Sequence, residues 1–206
     1  DISATRQDQI QWMAGERALI LGTLSREHTL RGSVNHIITP SSVDAASPTG
    51  YGSANIQPIL GPQALFFVHK TKRRLYENIG VEDFGSDDRQ VSDRTIFIES
   101  LIESDIKGIA YQHTPRPVLW MTLTDGTCLS LTYLREHVVT GWAFHPTRGD
   151  IIDIGVIPHP SGEYDQVWLL TERISGTLYM EVLIVKDRFY DELQVDCAML
   201  TTVTPP

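Results

Sequence analysis

The sequence predicts an all-β chain of four successive propeller-blade-like antiparallel β-sheet repeats, an incomplete or small β-propeller. Three observations carry this. Short β-rich segments punctuated by Gly, Pro, Asn and Asp run along the whole chain, with few long stretches of helical period. Ile10, Ile56, Ile106 and Ile152 open similar segments and stand 46, 50 and 46 residues apart, a spacing at which propeller blades and related arrays occur. Each repeat (about 8–55, 56–105, 106–150 and 151–200) also holds four candidate strands in up-and-down order, as a blade requires.

The first strands are predicted at Ile10–Met13, Ile56–Ile59, Ile106–Ile109 and Ile151–Ile154. Strongly apolar second strands follow at Ala18–Leu24, Ala64–His69, Val118–Thr124 and Gln166–Thr171. Third strands return at Glu27–Arg31, Arg74–Asn78, Thr127–Leu134 and Leu178–Leu183. Fourth strands are placed at Val34–Ile38, Thr95–Glu99, Val138–Phe144 and Val195–Leu200.

In the third repeat Asp125-Gly126 reads as a two-residue hairpin turn, since both positions favour positive φ. That register sets Leu123 opposite Cys128 and Trp120 opposite Leu131. It leaves both faces of the hairpin apolar, so the sheet should be covered on both sides. Ser175-Gly176 makes the matching turn in the fourth repeat. Trp12, Trp120, Trp142 and Trp168 read as structural core, each worth about 3–5 kcal/mol against alanine when buried. Two stretches break the rhythm: the Gly/Pro-rich Thr39–Asn55 and the acidic Val81–Asp93. Both are predicted loops, and Ser47, Tyr51, Phe84, Asp87 and Asp88 on them are the candidate partner contacts.

The bulk composition agrees with one folded domain spanning 1–206: 41% apolar residues fill a core, and 21% charged residues are ordinary. The chain begins at Asp1 and not Met, which points to a piece of a longer protein. No apolar run is long enough to span a bilayer, and no secretory leader is visible. A net charge of −9 argues against general affinity for nucleic acid or anionic membranes. The one basic cluster, His69 to Arg74, is no longer than a hairpin turn and reads as solvated. Cys128 and Cys197 lie far apart without a CxxC spacing, so two reduced thiols are expected.

A search for chemistry finds no catalytic motif and calls for no cofactor and no metal. His28, His36, His69, His113 and His137 are scattered, and His145 and His159 each precede a proline. There is no HExxH, no Walker loop and no GxSxG elbow. Asp93, Glu99, Asp105 and Asp153 lie near strand ends, where a glycosidase pair could hide, but solvated surface charge is the plainer reading.

The segment with Leu119-Trp120, Asp125-Gly126, Leu131 to Glu136 and Gly141-Trp142 resembles the tail nozzle (tail tubular protein B) family of short-tailed bacteriophages and their prophages. The related phage stabilisation proteins look similar. Ile38 to Val43, Tyr51 to Pro58, Leu65 to Val68, Arg73 to Tyr76 and Val167 through Gly176 to Glu181 match as well. Many moderate matches cover nearly the whole chain, with departures at Val81–Asp93 and the ends.

The resemblance implies a non-enzymatic structural role in the virion, in protein made in the bacterial host cytoplasm. Such subunits form a homo-oligomeric ring, commonly a hexamer, around the DNA-ejection channel. They bind the head–tail adaptor, fibres or spikes. An acidic lumen would let DNA pass without specific binding. Two other classes stay open: a carbohydrate- or host-receptor-binding tail module, and a glycan-cleaving enzyme on a propeller scaffold.

Overall fold

The computed structural model describes residues 8–15, 18–32, 37–39, 42–80, 89–135, 139–174 and 176–183. Among these, fifteen strands form four antiparallel sheets that follow one another along the chain, each with its strands in sequence order. The first sheet holds β1 (Ile10–Gly15), β2 (Leu19–Thr23), β3 (Glu27–Arg31) and β4 (Asp44–Thr49). The second holds β5 (Ile59–Leu60), β6 (Leu65–Val68), β7 (Leu75–Gly80) and β8 (Arg89–Asp93). The third holds β9 (Ile106–Gln112), β10 (Val118–Leu123), β11 (Cys128–Leu134) and β12 (Val139–His145). The fourth holds β13 (Asp150–Pro158), β14 (Asp165–Ile174) and β15 (Thr177–Leu183). The chain divides into two compact units, Asp1–Asp105 and Ile106–Pro206, where the sequence reads as one domain.

In the first unit, Trp12, Ala14 and Ile20 of the first sheet pack with Leu65, Phe67 and Tyr76 of the second. Trp12 lies directly over Gly22, where an added Cβ would come within 2.1 Å of the indole. Only glycine lets the ring settle that low. In the second unit, Ala110, Trp120 and Cys128 pack with Ile151, Val167 and Leu169. Consecutive sheets thus share an apolar interface in each unit, as face-to-face sheets must to bury their side chains.

Two of the four predicted fourth strands need revision, while Val138–Phe144 falls on β12. Ile37 and Ile38 lie outside the strands, and β4 forms instead within the stretch read as a long loop. Small residues and Pro48 conceal it in the sequence. It pairs on one side only, with β3, and an edge position tolerates both features. In the second sheet the edge strand is β8, inside the stretch read as an acidic loop. Thr95–Glu99 is not a strand: it makes a turn closed by Ile98 N–H donating to Thr95 O at 3.0 Å, then enters the 3₁₀ turn Glu99–Leu101. The fourth-repeat strand at Val195–Leu200 lies outside the described residues.

The Asp125-Gly126 turn is also corrected. Leu123 N–H donates to Thr127 O at 2.9 Å and Gly126 N–H to Leu123 O at 3.2 Å, so the loop has three residues, Thr124 to Gly126. Gly126 alone carries the left-handed φ, +82°. Trp120 therefore faces Ser130, and Met121 faces Leu129. A one-residue slip turns β11 over. Cys128 joins the Trp120 face, while Leu129 and Leu131 join Leu119, Met121 and Leu123. Both faces are buried all the same. In the fourth sheet, Ile174 pairs with Thr177 around a two-residue loop with Gly176 at φ +78°; Ser175 lies outside the described residues.

Trp12 and Trp120 are buried in the two cores. Trp142 and Trp168 are only half-buried, contrary to their reading as core. Trp142 sits on the edge strand β12, and Trp168 occupies the face of β14 opposite buried Val167, Leu169 and Thr171.

Candidate functional site

The most constrained polar site in the first unit is built on Glu27, the first residue of β3. Its carboxylate is buried, at 1% exposure, and among the described residues its bonds come from hydroxyls and backbone N–H groups. Oε2 accepts from Thr49 Oγ1 at 2.7 Å, and Oε1 accepts from Gly52 N at 3.0 Å and Ser53 Oγ at 3.1 Å. Tyr51 N–H approaches Oε2 at 3.4 Å. Spread over several donors, the charge becomes tolerable in the interior.

The gripped segment then stitches the two sheets together. Ser53 N–H donates to Thr23 O at 2.8 Å, Ala54 N–H to Val68 O at 2.9 Å, and Lys70 N–H to Gly52 O at 3.2 Å. Gly52 has φ +85°, and a Cβ there would come within 2.2 Å of Leu24 O. No other residue passes through this point without displacing backbone.

The clamp presents Tyr51, 39% exposed, with its ring 4.8 Å from Tyr76. His69 stands edge-on to Tyr76 and bonds Tyr51 O through Nε2 at 3.0 Å. A carbonyl only accepts, so Nε2 carries the proton, and Nδ1 accepts from Thr71 N at 3.3 Å. Burial lowers the His69 pKa, with Lys70 adding to it against the pull of the Tyr51 carbonyl. Ser47 is exposed on β4 and not on a loop; its hydroxyl lies 2.7 Å from Nδ1 of buried His28. Burial lowers the His28 pKa too, Arg26 adding and Asp8 and Glu27 opposing.

In the second unit Asp165, the first residue of β14, performs a related task. Its Oδ2 accepts His113 N at 2.6 Å and Thr114 N at 2.9 Å, capping the turn between β9 and β10. Gln112 joins that turn to the core by accepting from Trp120 Nε1 at 3.2 Å. Ion pairs hold other polar groups within single sheets: Glu77 with Arg94, and Glu181 with Arg173 at 2.8 Å.

A crevice in the same unit is lined by Trp120, Cys128, His145, Thr147, Ile151 and Leu169. Ser130 Oγ lies 2.7 Å from His145 Nε2 there, a hydroxyl beside a base. Ser130 sits in mid-strand, with ladder partners on both sides, Trp120 and Ala143. Its surroundings therefore offer no free pair of backbone N–H groups to receive an oxyanion. The contact is a cross-strand tie between β11 and β12.

Two of the four carboxylates near strand ends meet at one cation. Asp93 and Glu99 share the Arg74 guanidinium, Asp105 pairs with Arg73, and Asp153 accepts its neighbour's Ile154 N–H. Much of the basic cluster is thereby engaged in ion pairs. His159 stacks on Tyr164, and His113 meets Tyr111 edge-on. Cys128 is a buried thiol. Phe84, Asp87, Asp88, His36, His137 and Cys197 lie outside the described residues. Among the described residues no His/Cys/Asp/Glu group is arranged to hold a metal, and no helix is long and apolar enough to cross a membrane.

Glu27 and Asp165 went unnoticed in the sequence, where each is one acidic residue among many. The available signal was position: each is an acidic residue opening a strand, Glu27 ahead of buried His28 and Thr29 and Asp165 two residues before buried Val167. No protein-family model and no curated protein matches the chain.

Proposed function

We propose that the chain is a structural module of a short-tailed phage tail, part of the ring that encloses the DNA-ejection channel and binds neighbouring tail proteins. The observation that carries the reading is where the buried polar groups are spent. Glu27 in one unit and Asp165 in the other each tie a sheet to a loop beside its neighbour within that unit, as a load-transmitting scaffold needs. The sheet repeats and the resemblance of the motifs support the same reading, with a propeller as the arrangement of the sheets. The negative charge suits a lumen along which phosphate slides without sticking.

The test is the full-length protein, by native mass and electron microscopy, alone and with its head–tail adaptor. A ring with a central channel is expected. Glycan binding by a protein that stays monomeric with the adaptor would count against the reading, as would a net basic channel wall.

A further inference from the structure

Phe97 is 91% exposed and its neighbour Ile96 56% exposed, at the tip of the Thr95–Ile98 turn in the first unit. Turn corners ordinarily carry Gly, Pro, Asn, Asp or Ser, which suit the backbone and stay hydrated. Two large apolar side chains at a corner cost solvation, and among the described residues Phe97 adds almost nothing to the core.

The turn is also held from every side. Thr95 is 1% exposed, its Oγ1 donating to Asp93 Oδ1 at 2.6 Å and accepting Leu75 N–H at 3.2 Å. Thr95 N–H bonds the same Asp93 oxygen at 2.8 Å. Arg94 N–H donates to Leu75 O at 2.9 Å. Arg74 straddles the turn, 2.8 Å from Asp93 on one side and 3.0 Å from Glu99 on the other. Buried Ile98 and Ile102 root the segment behind the tip. The phenyl group is therefore offered on a backbone already ordered, and little further ordering entropy is lost when it is bound.

The surroundings of the knob select its partner. From Thr95 to Asp105 stand Glu99, Glu103 and Asp105 and no Lys or Arg; with Asp93 these four carboxylates outnumber Arg73 and Arg74, the two guanidiniums that pair with them. Arg74 serves two carboxylates at once, and the Glu99 side chain is 70% exposed. An anionic bilayer would repel this rim. We infer that the Thr95–Ile98 turn is a preformed anchor whose Phe97 and Ile96 insert into an apolar pocket, rimmed by basic side chains, on a partner protein. An aromatic anchor in a desolvated pocket is what dominates binding energy at many interfaces. The inference does not depend on the tail reading.

The pocket chemistry can be supplied without the partner. An amino-substituted β-cyclodextrin has an apolar cavity that takes a phenyl group and a rim of ammonium groups. Titrated into the intact chain and followed by amide NMR, it should perturb the Thr95–Leu101 signals. Phe97→Ser should weaken binding about tenfold, and neutral β-cyclodextrin should bind about threefold less tightly, a gap that closes near ~0.5 M salt. Leu178→Ser, at an exposed apolar residue of the other unit, should change nothing. Equal binding of the two cyclodextrins, or binding indifferent to Phe97, overturns the inference. Phe97-dependent adsorption to phosphatidylcholine vesicles would assign the knob to lipid, and Phe97-dependent self-association in sedimentation would assign it to a second copy. Either result replaces the basic-rimmed partner.

Discussion

Glu27 and Asp165 are both buried carboxylates at the start of a strand, and both accept hydrogen bonds from a loop associated with the neighbouring sheet. They differ in reach. Glu27 uses both oxygens and gathers donors from Thr49 to Ser53, two of them hydroxyls. Asp165 uses one oxygen for two consecutive N–H groups, and its own N–H also donates to Thr114 O at 3.0 Å. The Asp165 turn thus keeps a tie to β14 without the carboxylate. Beyond the β4 ladder, which sets Thr49 opposite Glu27, the Thr49–Ser53 segment has main-chain ties at Gly52 and Ser53. The same device, a negative group among neutral donors, fixes a whole segment in one unit and reinforces a turn in the other.

Replacing Glu27 by leucine should therefore have the largest effect. Several donors lose their acceptor in a dry interior, and bonds to a charged group are worth about 1.5–3 kcal/mol each, partly recovered by relaxation and water. A net loss of about 3–5 kcal/mol is expected in urea unfolding. Amide exchange should rise most at Gly52 and Ser53. If unfolding free energy falls while those amides keep their protection, the clamp does not hold the segment.

Asp165→Ala should cost less, about 2 kcal/mol, since two N–H groups are affected and the main-chain bond to Thr114 remains. The comparison sharpens if exchange accelerates at His113 and Thr114 and not at Asp165 itself. A cost equal to that of Glu27→Leu would mean that donor number does not rank these two sites.

Much of this fold was legible because strand alternation and repeat spacing survive in the sequence. Second and third strands, fixed by dense apolar runs such as Leu65 to Val68, fall close to where the pattern puts them. The fourth strands of the first two repeats were hidden because an edge strand needs backbone pairing and no apolar face, so Asp44–Thr49 looks like a loop and Thr95–Glu99 like a strand. The Asp125-Gly126 register failed for a different reason. A Gly at left-handed φ serves two- and three-residue hairpins alike, and only the ladder shows which is present. The clamp at Glu27 depends on donors 22 to 26 residues away, a distance that periodicity does not report.

The smallest effect separates the site's histidines from its carboxylate. His28 and His69 both titrate below the ordinary value of 6.5, with burial the leading cause in each. Above pH 6.5 neither state takes up protons at these rings, and their contribution to stability is fully present. As the pH falls below 6.5 the unfolded chain binds protons first, so stability declines until the folded imidazoles titrate as well. Charging His69 turns Nδ1 into a donor, so the bond it accepts from Thr71 N–H is lost and only Thr71 Oγ1, 2.8 Å away, can still serve it, while Nε2 goes on donating to Tyr51 O. Between pH 7.5 and 5.5 the first unit should lose stability by less than the Glu27→Leu change. Proteolysis mapped at the two pH values should show cleavage appearing first around Thr71. The double variant His28→Gln, His69→Gln should flatten that dependence. An unchanged pH profile in the double variant would move the acid sensitivity to the carboxylates and leave the two histidines as packing alone.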